Sequence, residues 1–214
     1  MSAIPRKGDN DPPIVYVATD APRTKRLGAV TIDAVVSGGI AAELLGHLLP
    51  SPSPIVIFTG DLRVMDHADK LRGFAASLAT LAPHLSLLPA VETHELPQDA
   101  YRAALHILKQ RPDVGGIYIN TANSLPVLKA AAEVGALGKV RIITTDLFPE
   151  LIPMIESGHV FASLHQRPFV QGKAAFEMLC RYLSSGGVPH IVNRMAPHII
   201  LRSNLSLFLD RDRR

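Results

Sequence analysis

The 214-residue chain is 47% hydrophobic, enough for a packed core in one large α/β domain or two small lobes. Its formal charge of +3 is mild, and Lys and Arg are scattered apart from short clusters at Arg23–Arg26 and Arg211–Arg214, which argues against a polyanionic partner. One cysteine excludes an intrachain disulfide, and no apolar run approaches membrane-spanning length. That cysteine, Cys180, lies in an apolar helical stretch and reads as a buried, inert thiol. Residues 1–11 lack the apolar core of a secretory signal and read as disordered, so the chain is expected in the cytoplasm.

In chain order, Ile14–Ala18 reads as a buried strand and Ala29–Ile32 as a second, with a turn-rich stretch between them. A helix from about Ser37 to Leu49 follows, apolar all round and stopped by the Pro/Ser run at Pro50–Pro54. From Ile55 the alternation is regular: a strand to Thr59, a loop, and a helix from about Asp66 to Leu81. In that helix Ala68, Leu71, Ala75 and Leu78 recur at helical spacing, which leaves Asp69, Lys70 and Arg72 on other faces. A strand near Ser86–Val91 precedes a helix over about Pro97–Gln110 whose apolar stripe is Ala100, Ala103, Ala104, Ile107 and Leu108. Gly115–Asn120 is a strand. The next helix is capped by Asn123 or Ser124, has Pro126 in its first turn, and closes where Gly135 or Gly138 takes a left-handed conformation. Then come a strand at Val140–Thr144, a helix at about Pro149–Glu156, a strand at Val160–Leu164 and a long helix at Val170–Ser184. The chain finishes with the strand-like run Pro197–Arg202 and a solvated tail beyond Leu209. Strands alternating with helices over short loops imply parallel sheets covered on both faces.

Enzyme signatures are missing. No Gly-x-Gly-x-x-Gly follows a strand, no phosphate loop ends in Gly-Lys-Ser or Gly-Lys-Thr, and no Gly-x-Ser-x-Gly elbow is present, which counts against a Rossmann-like enzyme. The pairs Gly38/Gly39 and Gly186/Gly187 read as helix punctuation. None of the nine histidines stands at metal-site spacing from another ligand, so no metal or cofactor is expected. His67, in a first helical turn, and His165, beside Gln166, remain weak site candidates. What stands out is a series of polar side chains at strand ends: Asp33, Asn120, Asp146 and Gln166. In doubly wound folds the ligand crevice lies at those ends. Carboxylates and amides grip neighbouring hydroxyls in pairs, Lys70 or Arg72 would add charge, and Phe148 or Tyr118 could supply an aromatic platform. Each polar residue has an alternative reading as a cap or turn: Asp33 as a helix cap, Asp146 before the helix at Pro149, and Asn120 in an Asx-turn.

Several runs together resemble a known fold: Asp33–Ala42, Lys70–Phe74, Arg111–Asn120, the strand into Asp146, Ala162–Pro168 and Gln171–Ala175. They are similar to the sugar-binding fold shared by lactose-repressor (LacI) family regulators and ribose-type periplasmic binding proteins, over about Pro13–Phe208. The resemblance implies a two-lobed type I periplasmic-binding-protein-like fold that closes on a sugar, with Asn120, Asp146 and Gln166 bonding ligand hydroxyls. Together with the residues singled out above, the candidate ligand set is Asp33, Lys70, Asn120, Asp146, Gln166, His67 and Phe148. Lys70 stands where the family has Arg, Ala34 where Asn is frequent, and Asp20 in Ala18–Asp20 is the counterpart of an Asp after the first strand.

It further implies lobes made of 1–32 with 167–199, the N-terminal one incomplete, and of 33–166 with 200–214, the C-terminal one complete. If Met1 is the true start, the first lobe is half-built and its open strand edges favour self-association, as in a homodimer. The function implied is the carbohydrate effector-binding domain of a LacI-type regulator, reaching DNA only through a helix-turn-helix that this chain lacks. The alternative is the solute-binding protein of a sugar uptake transporter.

Overall fold

The computed structural model describes residues 12–50, 52–186 and 191–209. The expected disordered segment 1–11, the tail 210–214 and Gly187 lie outside the described residues. The chain opens with β1 (Val15–Ala18), β2 (Gly28–Ile32), α1 (Ala34–Leu48), β3 (Pro54–Thr59) and α2 (Met65–Leu81). It continues through β4 (Ser86–Leu87), β5 (Val91–Glu92), α3 (Pro97–Gln110), β6 (Gly116–Ile119), α4 (Leu125–Glu133) and β7 (Arg141–Thr145). A 3-10 turn at Pro149–Leu151 leads into α5 (Ile152–Glu156), then β8 (Ala162–His165), α6 (Pro168–Ser185), β9 (Ile191–Met195), β10 (His198–Leu201) and α7 (Ser206–Leu209).

Two sheets result, so the α/β class with helix-flanked, mainly parallel strands is as the sequence implied. A small parallel sheet has the order β1-β2-β9. A larger one runs β10-β8-β7-β6-β3-β4 with β5 also on β3, and only β10 is antiparallel to its neighbour. The chain crosses between them after β2, after β8 and after β9.

Period-2 alternation on strands buried on both sides builds two cores. Val56, Phe58, Ile117, Ile119 and Ile142 face α3, α4 and α5, while Ile55, Ile57, Tyr118, Ile143 and Leu164 face α1 and α2. Among the described residues no helix is long and apolar enough to cross a membrane.

Several elements depart from expectation. α1 starts at Ala34 because Asp33 caps it, its Oδ1 accepting from Val36 N at 3.0 Å. Asp33→Ala should therefore cost about 1 kcal/mol, read as a lower urea midpoint. The pair Gly38/Gly39 is not punctuation. Both lie inside α1, and a Cβ on Gly38 would sit 1.9 Å from the Lys70 carbonyl oxygen. Its counterpart is Gly73 on α2, where a Cβ would sit 2.1 Å from the Val35 oxygen, so the two helices cross backbone to backbone.

α2 therefore turns Lys70, Gly73 and Phe74 inward beside Leu78; of the expected stripe Ala68, Leu71, Ala75 and Leu78, Leu78 is buried, Leu71 packs partly against the core, and Ala68 and Ala75 are only half-buried. An apolar count misses that face because it holds a glycine and a paired lysine. The strand at 86–91 splits into β4 and β5 around Pro89, and β9 and α7 carried no clear signal in the sequence. Cys180 is exposed on α6, which buries only Gln171 and Ala175.

Candidate functional site

Strands β6, β7 and β8 end side by side, and the next residue after each is Asn120, Asp146 or Gln166. One cation joins the first and the last, and Asp146 enters through Gln166. Lys70, fully buried, contacts Asp66 Oδ2 at 2.6 Å and donates to the Asn120 carbonyl oxygen at 3.3 Å and to Gln166 Oε1 at 3.1 Å. Three acceptors thus meet the three donors of the ammonium, the condition under which a buried charge is tolerated.

Gln166 gives its backbone N–H to Asp146 Oδ1 (2.9 Å) and its Nε2 to Asp146 Oδ2 (2.7 Å), so the carboxylate holds it at two points. The orientation of the Gln166 amide follows, with oxygen toward the ammonium and nitrogen toward the carboxylate. The Asn120 amide donates to the His67 carbonyl oxygen at 3.3 Å. Asn120 Oδ1 and Asp66 Oδ1 are buried with no protein partner, two acceptors still available for bonding.

A cleft of about 220 Å³ opens on Asp66. One wall is Ala18, Thr19 and Asp20 after β1. Asp33–Val36 at the start of α1, Met65, Asp66, Asp69 and Arg72 on or beside α2, and Arg194 of β9 also line the cleft. A wider groove between α6 and β9, about 700 Å³, carries none of the candidate residues. Among the described residues five non-glycine residues have left-handed backbones: Ala18 (φ 71°), His94 (φ 49°), Glu95 (φ 59°), Asp146 (φ 65°) and Arg167 (φ 59°), each at or just after a strand end. Such conformations are unfavourable for L-residues and persist where the surroundings fix them, commonly at functional sites.

The sequence-derived set divides accordingly. Lys70, Asn120, Asp146 and Gln166 come together in one network, and Asp33 lines the cleft while also capping α1. Asp20 lines the cleft but is held by the Arg26 guanidinium at 2.5 and 2.7 Å. Arg72 also lines the cleft, paired with Asp69 at 3.0 Å.

Neither aromatic forms a platform there. Phe148 packs against the α3–α4 core, and Tyr118 stacks on Phe74 at 5.5 Å between centroids. Burial pushes the Tyr118 phenol far above its usual value, with the Ser37 and Thr145 hydroxyls beside it pulling partly back. His67 is occupied elsewhere: Nδ1 accepts from Asp61 N at 3.1 Å and Nε2 faces Glu95 Oε1 at 3.5 Å. His165 Nδ1 is 3.7 Å from Asp146 Oδ1. The sequence reading passed over Asp66, although its i,i+4 spacing to Lys70 was a usable signal.

Two mainly parallel sheets joined by three chain crossings, with a polar network at the strand ends linked through Asp66 to a cleft, define a binding-protein architecture. The chain belongs to the periplasmic binding protein domain family, whose model matches residues 7–187. It is 31% identical over 90 residues to the D-allose-binding periplasmic protein of Escherichia coli K12, a stretch that covers 42% of this chain. That match spans 29% of the length of the curated relative. Among solved structures it resembles the glucose-galactose binding protein GanP of Geobacillus stearothermophilus, with TM-score 0.83 and 26% identity over 90% of this chain and 69% of that one. A solute-binding protein of an Actinobacillus succinogenes ABC transporter, solved with D-allose, shares the fold at TM-score 0.82 and 20% identity, covering 91% and 70%.

Proposed function

We propose that this chain is the ligand-binding domain of a sugar receptor of the transporter solute-binding type, which holds its ligand without transforming it. The observation that carries the reading is the network in which buried Lys70 bonds the Asn120 carbonyl and Gln166, Asp146 holds Gln166, and Asp66, the lysine's carboxylate partner, lines the adjoining cleft. A sugar hydroxyl is donor and acceptor at once, so the unpartnered Asn120 and Asp66 oxygens and the Asp146 carboxylate suit a polyol. The relatives named above bind sugars or serve transporters, which favours the receptor over the LacI-type effector domain named first from the sequence. In this reading the small sheet centres one lobe and the large sheet the other; the expected boundary at 199/200 moves to before His198, because β10 pairs with β8 of the large sheet. Asn120, Asp146, Gln166 and Asp33 serve the ligand, and buried Lys70, its three donors spent on protein acceptors, orients Gln166.

Titration calorimetry of the chain with D-allose, D-glucose, D-galactose and L-arabinose tests it. Saturable binding of at least one is expected, and a folded chain indifferent to all four would overturn the reading. Asp146→Ala and Gln166→Ala should each weaken that binding by about 1–3 kcal/mol while far-UV dichroism is kept. Undiminished affinity in both variants would remove these residues from the site.

A further inference from the structure

The run Gln171–Ala175 contributed to the family resemblance, yet its first residue has no part in the site as described so far. Gln171 is one of only two buried residues on α6, and it is polar where an apolar side chain would serve packing better. Both ends of its amide are engaged. Oε1 accepts from Ala18 N at 3.1 Å, and Nε2 donates to the Gln166 carbonyl oxygen at 2.6 Å.

The first bond fixes the last residue of β1, the left-handed Ala18, directly before the cleft wall at Thr19 and Asp20. The second fixes the residue whose side chain lies between Lys70 and Asp146, directly before left-handed Arg167. One amide therefore spans from the small sheet to the end of a large-sheet strand, at a point where the chain crosses between the two.

We infer that Gln171 is a positioning residue that registers the end of β1 against Gln166 and so sets the spacing between the cleft walls. It acts through its neighbours and does not itself line the cleft. A second anchor of the same wall is the Arg26–Asp20 fork, which lies wholly within the small-sheet side, whereas Gln171 ties that wall to Gln166. The inference rests on the cleft being the ligand site.

Hydrogen exchange and D-allose dissociation kinetics test it together. In Gln171→Met, which keeps the length and loses both bonds, the amides of Ala18–Asp20 should exchange at least about tenfold faster while those of β3 and β6 keep their rates. D-allose should leave at least about tenfold faster. Gln171→Glu retains the acceptor toward Ala18 but loses the donor toward Gln166. Protection at Ala18 should then survive while D-allose still dissociates faster.

Wild-type exchange at Ala18–Asp20 in Gln171→Met, or wild-type dissociation in both variants, would overturn the inference. So would loss of protection throughout β3 and β6, which would mark Gln171 as a residue of general stability. If the unaltered chain does not bind D-allose but binds another sugar of the panel, that sugar replaces it. If it binds none, the receptor reading fails and the exchange pattern alone decides the role of Gln171.

Discussion

Gly73→Ala should destabilise the fold by about 3 kcal/mol or more, the upper end for overpacking, because the new methyl would meet backbone and not the end of a flexible side chain. The atoms it would meet are Val35 O at 2.1 Å, Val35 C at 2.7 Å and Val35 Cα at 2.8 Å. Separating α1 from α2 would also draw Lys70, one turn before Gly73, away from Gln166, so ligand affinity should fall together with stability. Urea unfolding followed by circular dichroism provides the number. Gly172→Ala is the internal contrast: it is helical and exposed, and a Cβ there meets nothing within 4 Å, so a gain of about 0.5–1 kcal/mol is expected. If Gly73→Ala fell within 1 kcal/mol of the parent, the backbone-to-backbone crossing would be wrong.

Lys70→Met should be as damaging for a different reason. It removes the ammonium that Asp66 Oδ2 contacts at 2.6 Å and leaves a carboxylate in a largely buried position, an uncompensated charge of the kind that costs about 3–5 kcal/mol. Adding Asp66→Asn to Lys70→Met should recover a substantial part of the loss, since the stranded charge is then gone. Chemical denaturation of the four members of the cycle separates the two contributions. Additive losses would mean that the pair is not coupled in the folded state.

Both residues show where the sequence was readable and where it was not. From Ile55 onward the alternation of strands and helices was plain, because short apolar-rich runs such as Ile55–Phe58, Ile117–Ile119 and Ile142–Ile143 are separated by longer segments at helical spacing such as α3. The polar ends at Asn120, Asp146 and Gln166 were visible for the same reason, since each interrupts such a run at its last position. Lys70 was assigned to an outer face because hydropathy treats an ammonium as solvated. Only coordinates reveal that Asp66, the Asn120 carbonyl and Gln166 surround it. Gly73 was noted only as part of the run Lys70–Phe74 and Gly38 as punctuation because the absence of a side chain leaves no periodic signal, although that absence lets the helices touch. Phe148 was chosen for its aromatic ring and its nearness in sequence to Asp146, but the short 3-10 turn after it carries the ring toward the α3–α4 core. β9 went unassigned because its Ile-Val-Asn-Arg-Met run has no alternation to mark it.

The place of β10 has a consequence for biosynthesis. This strand borders β8, yet the ribosome makes all of α6 and β9 between the two. One flank of β8 therefore stays without its backbone partner until translation has passed Leu201. No single cut releases either sheet as a contiguous autonomous piece, so assembly has to wait for distant segments to meet, an arrangement associated with slow folding and a longer exposure to chaperones.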